Sequence, residues 1–397
     1  MNAILIRYGD SIRGHGLGMI LFSFAFGQIW QATKHPTAAK TTAAGALALL
    51  AIHTSYYNVI LVGATSVGAL VVCLRNGRRR NAIALISIGT AMAMSMLIYI
   101  PASRAVSSWN ASLRHGVDGS LLWGTLTDVM AHGGPHLRAI WVAFLAVAAG
   151  ILISHVAGLV KLEPDRSDAV IFGGVTLLTG LVGYTFFLLM LGYYTHPWYF
   201  VSMLLLVAIC CDVILQQGTV PPHSAAYAIA AAILAVMMFA PVQLLLAVPQ
   251  TNIDAVALEL HDKAQQSDLI LVREWELGIS FQRYYHGSAE WMTLPPLEDH
   301  RWHRYDLFRA AHTDSSWWPI VNQRFRQTIE SGGAIWVVAG GLLETDCARA
   351  HVGEAFDILV FPSHFLEIQT RQDRIWRPAN RAAAYENVIV ERRISCK

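Results

Sequence analysis

Residues 137–159 read LRAIWVAFLAVAAGILISHVAGL, a stretch of apolar side chains with one arginine at its start and a histidine near its end. Crossing the hydrocarbon layer takes about 20 mostly apolar residues at 1.5 Å rise each. This run meets that length and shows no polar face, so it predicts a transmembrane helix rather than an amphipathic one. Working outward, seven more runs of this kind fall at 16–33, 41–52, 55–74, 82–100, 169–192, 197–216 and 224–247. The run 41–52 is short for a span. An alternative joins it to the next as one bent element around His53–Tyr57, which gives seven spans instead of eight.

Composition agrees. The 397 residues are 54% hydrophobic and 14% charged, with a mean hydropathy of +0.43. Soluble domains carry about 25% charged residues. The deficit is confined to residues 1–248, and residues 249–397 have the mix of a water-soluble domain. The expected architecture is therefore an α-helical polytopic membrane domain, 1–248, followed by a soluble α/β domain, 249–397. The net charge of +2 and the lack of a basic tract interleaved with aromatics argue against a nucleic-acid partner. Met1–Gly14 contains Arg7, Asp10 and Arg13 and lacks the pattern of a signal peptide.

Basic residues in short loops mark the cytoplasmic side. Arg75-Asn-Gly-Arg-Arg-Arg80 is the clearest such loop, and with eight spans Lys34–Lys40 and Lys161–Arg166 fall on its side. The segments 1–14, 101–136 and 193–196 then fall outside, as does everything after 248. With seven spans the N-terminal side reverses. Segment 101–136 holds Trp109, Leu113, Leu121, Leu122 and Trp123 among polar residues, which fits either a helix lying in the membrane interface or an ordered loop on the helix ends. Of five cysteines, Cys73, Cys210 and Cys211 lie in apolar runs. Cys347 and Cys396 lie in the polar domain and can pair if that domain meets an oxidising compartment.

In the soluble part, Ile253, Val256 and Leu260 have the spacing of an amphipathic helix over 252–266. Asp268–Val272 and Ala334–Val338 read as buried strands, and Phe325–Ile329 as a helix stopping at Ser331-Gly-Gly333. Phe356–Phe361 reads as helix or strand, and Asn387–Glu391 as a final strand. No glycine-rich phosphate loop follows the first strand, which argues against a nucleotide site.

Polar and aromatic residues collect at the helix ends expected outside. In Arg7-Tyr-Gly-Asp-Ser-Ile-Arg13, two arginines flank Asp10. The arginines can bind a phosphate while the carboxylate fixes their geometry. A solvated segment with an internal salt bridge is the alternative. His53-Thr-Ser-Tyr-Tyr57 sets a histidine at a helix mouth, able to bind phosphate, shuttle a proton or hold a metal, or simply to pair with a carbonyl. Tyr193–Tyr199 includes His196, and its aromatics also suit an interfacial belt.

These three segments, in this order, resemble bacterial GT-C type membrane glycosyltransferases, relatives of the protein O-mannosyltransferases and lipid A aminoarabinose transferases. The carrying residues are Arg7–Gly18, His53–Tyr57 and Tyr194–Phe200. Asp268–Val272 with Arg283-Tyr-Tyr-His-Gly287 is similar to the start of that family's extracytoplasmic tail. The resemblance implies transfer of a sugar from a polyprenyl-phosphate donor to a lipid, glycan or protein acceptor, outside the bacterial inner membrane. It implies Asp10 as the catalytic carboxylate available here, and Arg7, Arg13, His53 and His196 as contacts to the donor phosphate, with a divalent metal as a further means of neutralising it. Two departures stand out. The family's main acidic loop precedes the motif at which this chain begins, which implies an incomplete transferase. Trp198 stands where the late motif carries an arginine. A non-catalytic membrane protein whose outer domain binds a ligand or partner is the second reading. A transporter ranks below both, because the helices hold few charges.

Overall fold

The computed structural model describes residues 15–101, 104, 119–131, 135–191, 197–218, six positions between 229 and 243, 251–301, 304–338, 348–352, 355–356, 359–360, 364–376 and 388–396. The chain separates into two compact units that part between Leu246 and Ala247.

In the first unit the helices are α1 (His15–Lys34), α2 (Ala38–Thr54), α3 (Asn58–Arg75), α4 (Arg79–Met96), α5 (Gly119–Ala131), α6 (Pro135–Val156), α7 (Pro164–Leu191) and α8 (Val201–Gly218). Short 3₁₀ turns extend α4 through Tyr99 and precede α8 from Pro197. Five stretches are long and apolar enough to cross a membrane: Asn58–Arg75, Arg79–Tyr99, Leu137–Val156, Pro164–Met190 and Pro197–Gln217. They make this unit a helical membrane body. The expectation of about eight spans is met only in part. Helix α2 has 17 residues, and α1 has 20 but includes Gln28, Gln31 and Lys34. The run 224–247 lies mostly outside the described residues. Helices α2 and α3 are separate: Ser55 is extended at the end of α2, and α3 starts at Asn58. The single bent element therefore does not form.

Local sequence sets the ends of these helices. The Thr37 hydroxyl caps α2 by accepting from Lys40 N at 3.2 Å. Gly77, at φ +66°, makes the tight turn from α3 into α4. The core then forms where small residues let helices approach. A Cβ added at Gly68 on α3 would lie 2.8 Å from the Phe172 carbonyl oxygen on α7 and still closer to the Thr176 hydroxyl. Gly173 of α7 faces Ile214 and the Cys210 carbonyl of α8 in the same way. Close approach through small residues is how helices pack where lipid removes the hydrophobic drive between them. Outward, α7 carries Leu178, Val182 and Phe186, spaced by four and each more than 60% exposed. Such a stripe is costly in water and neutral against lipid tails. The segment expected at the interface contains α5, which buries Leu122, Val129 and Met130 and leaves Trp123 outward.

The second unit is an α/β layer domain. Helix α9 (Ile253–Lys263) precedes β1 (Leu269–Val272), α10 (Leu277–Tyr284) and β2 (Glu290–Thr293). Helices α11 (Tyr305–Thr313) and α12 (Trp318–Glu330) lead to β3 (Ile335–Val338). Then come β4 (Ala348–Val352), the short pair β5 (Ala355–Phe356) and β6 (Leu359–Val360), β7 (His364–Trp376) and β8 (Val390–Ser395). The main sheet has the order β2-β1-β3-β8-β7-β4. Strands β2, β1 and β3 are parallel, and β8, β7 and β4 continue antiparallel.

Strands β1 and β3 are buried at every position because both faces are covered. Ile270, Val272, Trp336 and Val338 meet Val256, Leu260 and Phe281 of α9 and α10. Leu269, Leu271, Ile335 and Val337 meet Val321, Phe325 and Ile329 of α12 on the other face. The amino-terminal edge is locked by Asp268. Its carboxylate accepts from Gln265 N at 3.0 Å, Ala334 N at 2.8 Å and Trp336 Nε1 at 2.8 Å. Asn252 clamps α9 to the last strand through both polar atoms of its amide, at 3.0 and 2.7 Å from the backbone of Val388. Of Phe356–Phe361, open between helix and strand in the sequence, the described residues Phe356, Leu359 and Val360 lie in the β5–β6 pair. The final strand begins at Val390, beyond the start expected. Cys396 is disulfide-bonded and Cys73, Cys210 and Cys211 are free. Cys347 lies outside the described residues.

Candidate functional site at the aromatic end of the helix bundle

Apart from α5, the helices of the first unit run alternately up and down, which gives the bundle two chemically different ends. At one end Lys34 of α1 bridges Asp165, at 2.5 Å, and Asp168, at 3.1 Å, both on α7. Asn76 donates to Asp168 at 2.8 Å, and Arg78 and Asn81 donate to the Thr33 carbonyl at 3.2 and 3.1 Å. Arg75 donates to Ser167 at 2.8 Å, and His155 bonds the same hydroxyl at 2.8 Å. The three basic loops that the charge pattern places on one side thus share one end of the bundle.

The opposite end is aromatic. There α1 begins, α2 ends, α3 begins, α4 ends, α7 ends and α8 begins. His53, in the last turn of α2, shares a hydrogen bond of 2.7 Å between its Nδ1 and the hydroxyl of Tyr99, at the end of α4. The rings lie 5.5 Å apart. If Tyr99 donates, His53 Nε2 carries the proton and becomes the donor available to an anion. His53 is exposed, as a ligand contact requires. Tyr57 packs on Tyr56 at 4.1 Å, on Phe187 of α7 at 6.0 Å and on Tyr199 at 5.5 Å. Tyr184 donates to the Tyr199 carbonyl at 2.6 Å. Gly18 sits against this group: a Cβ there would lie 3.1 Å from Asn58 Nδ2 and 3.2 Å from Ser55 Cβ. Asn58 donates to the carbonyls of Gly18, at 3.2 Å, and Ala51, at 3.0 Å. Among the described residues, its own Oδ1 and the Ser55 hydroxyl are buried and have no hydrogen-bond partner. An amide oxygen and a hydroxyl in that state leave polar capacity for a ligand or water.

Of the residues singled out in the sequence, His53 is therefore at this end. Arg7, Asp10, Arg13 and His196 lie outside the described residues. Tyr99 and Asn58 had no signal of their own: Tyr99 reads as the end of an apolar run and Asn58 as a helix start. Among the described residues no three or more His, Cys, Asp or Glu side chains gather as a metal site. The chain matches no family model, no curated protein and no solved structure.

Proposed function

We propose that the chain is a GT-C-like glycosyltransferase of the bacterial inner membrane, which moves a sugar from a polyprenyl-phosphate donor to an acceptor on the outer face. One observation carries the reading. Three segments resemble that family, and their described residues converge: Gly18 packs against Ser55 and Asn58, and Tyr57 meets Tyr199 edge-on with ring centroids 5.5 Å apart. Residues separated by 40 and 142 positions in sequence thus meet at one end of the bundle, the end away from the basic loops. The positive-inside rule puts that end outside. The disulfide at Cys396 supports the same exposure for the second unit, since such bonds persist in oxidising compartments.

In an inverting transfer the acceptor hydroxyl loses its proton to a carboxylate and its oxygen bonds to the anomeric carbon. The bond from that carbon to the phosphate oxygen breaks, and the polyprenyl phosphate leaves as an anion. Asp10 is the carboxylate this reading assigns as base. Arg7, Arg13, His53 and His196 neutralise the departing phosphate, alone or with a divalent ion. The test is release of polyprenyl phosphate from a polyprenyl-phosphate-linked hexose or pentose by the full chain in lipid vesicles. Asp10→Asn should lower the rate about 100-fold or more, the range for losing a general base. His53→Ala should lower it without changing which acceptor is used. A wild-type chain that consumes no donor, or an Asp10→Asn chain as active as wild type, overturns the assignment. The first of these results favours a non-catalytic protein whose outer unit binds a ligand.

A further inference from the structure

The turn from α3 into α4 carries more positive charge than the fold uses. Arg75, Arg78, Arg79 and Arg80 stand close together there. Two of them are taken up by neutral groups: Arg75 donates to the Ser167 hydroxyl at 2.8 Å, and Arg78 to the Thr33 carbonyl at 3.2 Å. The side chains of Arg79 and Arg80 are exposed, and among the described residues they have no hydrogen-bond or ion-pair partner. Asp165 and Asp168 of α7, which approach this turn through Asn76, hold Lys34 instead. The helix itself adds to the imbalance. The amino end of a helix bears the positive end of its dipole, and acidic or capping side chains usually offset it. Helix α4 has no acidic residue in its first turn and no side-chain cap. Arg79 and Arg80 add charge of the same sign at that point, so this surface calls for an anion from outside the chain.

The face below the arginines selects the kind of anion. Helix α4 packs inward through Ala82, Leu85, Ile88 and Met92. Its outward face runs from Arg79 through Ile83 and Ile86 to Met94, and these three apolar side chains are each more than half exposed. From Ile83 to Met94 the helix rises about 16 Å at 1.5 Å per residue, close to half of the roughly 30 Å hydrocarbon layer. Arg79–Tyr99 is one of the stretches able to cross a membrane, so its first residues stand at headgroup level with one leaflet's depth of alkyl surface beneath them. A free inorganic anion would use the guanidiniums and leave that stripe unused. A zwitterionic lipid would bring a cation of its own against the two arginines. An anionic phospholipid uses both parts, its phosphate on planar guanidinium donors and its acyl chain along the stripe.

We infer that the outward face of α4 binds an anionic phospholipid, with Arg79 and Arg80 on its phosphate and Ile83, Ile86 and Met94 along an acyl chain. This site lies on the membrane body at the end away from His53, and it holds whether or not the chain transfers a sugar. The test is native mass spectrometry of the full chain in detergent, with phosphatidylglycerol or phosphatidylethanolamine of the same acyl chains added as probes. The wild type should retain phosphatidylglycerol about tenfold better or more, and excess inorganic phosphate should not displace it. Arg79→Gln with Arg80→Gln should weaken phosphatidylglycerol binding about 30-fold, since each basic residue near an anionic lipid contributes about a factor of five. Lys40→Gln with Lys161→Gln removes as much charge from the same end of the bundle but none from α4, and should leave binding within about twofold of wild type. Equal retention of the two lipids by the wild type overturns the inference without any variant. Unchanged binding in the arginine double variant, an equal loss in the lysine double variant, or displacement by phosphate would each overturn it as well.

Discussion

Removing Asp168 should damage the membrane unit far more than removing Asp165, although both bind Lys34. The side chain of Asp168 is 6% exposed and that of Asp165 is 86% exposed. An exposed pair contributes about 0–1 kcal/mol, because water solvates both charges nearly as well. Breaking a buried pair costs about 3–5 kcal/mol, because the surviving charge stays desolvated. In Asp168→Ala the Lys34 ammonium, itself 12% exposed, keeps the exposed Asp165 as its counter-charge, with the Trp30 ring 5.6 Å away, and Asn76 loses the acceptor at 2.8 Å. The expected loss is therefore about 3 kcal/mol or more. At about 2–4 °C per kcal/mol for a unit of this size, the midpoint should fall by roughly 6 °C or more. Asp165→Ala should shift it by under about 4 °C on the same scale. The double variant Lys34→Met with Asp168→Leu removes both charges at once and should recover most of the loss. Thermal unfolding of detergent-solubilised protein, followed by loss of the monodisperse peak, reads all four chains. Equal losses for Asp165→Ala and Asp168→Ala, or a double variant as unstable as Asp168→Ala, would show that burial does not set the strength of these pairs.

Gly68→Ala should destabilise the α3–α7 contact by about 1–3 kcal/mol, since the added methyl meets the Phe172 carbonyl, which cannot rotate away. Gly63→Ala, with open space around it, should be neutral in the same melting assay. In the second unit, burial lowers the pKa of His300 below its usual 6.5, so the folded state prefers the neutral ring. The stability this contributes is present above about pH 6.5 and is lost as pH falls through the depressed folded value. Tryptophan fluorescence melts between pH 7.5 and 5 should show that decline, and His300→Gln should flatten it.

What could be read in the sequence follows physical scale. The run at 137–159 is legible because a spanning helix is apolar all round and needs no partner to explain it. Strands β1 and β3 are legible for the same reason, being covered on both faces. Strand β2, Glu290-Trp-Met-Thr293, is not: it is a four-residue edge strand with one polar end, stabilised by β1 some 20 residues away. Strand β7 is thirteen residues long, yet its charges and the register shift between Gln372 and Arg374 break the alternation that would reveal it. The candidate site divides in the same way. His53 stands out by residue type, but its partner Tyr99 lies 46 residues on, and Lys34 meets Asp165 only across 131. One sequence shows charges and not their pairings.

The proposed topology sets the aromatic helix end and the α/β unit outside and the basic end in the cytoplasm. Single cysteines at Tyr56, Arg79 and Lys263 report it, since the wild-type thiols at 73, 210 and 211 are buried and Cys396 is disulfide-bonded. All three positions are exposed. In intact bacterial cells a membrane-impermeant maleimide should label Tyr56→Cys and Lys263→Cys, and should label Arg79→Cys only after the cells are permeabilised. Labelling of Arg79→Cys in intact cells, with Lys263→Cys protected until permeabilisation, would contradict the account.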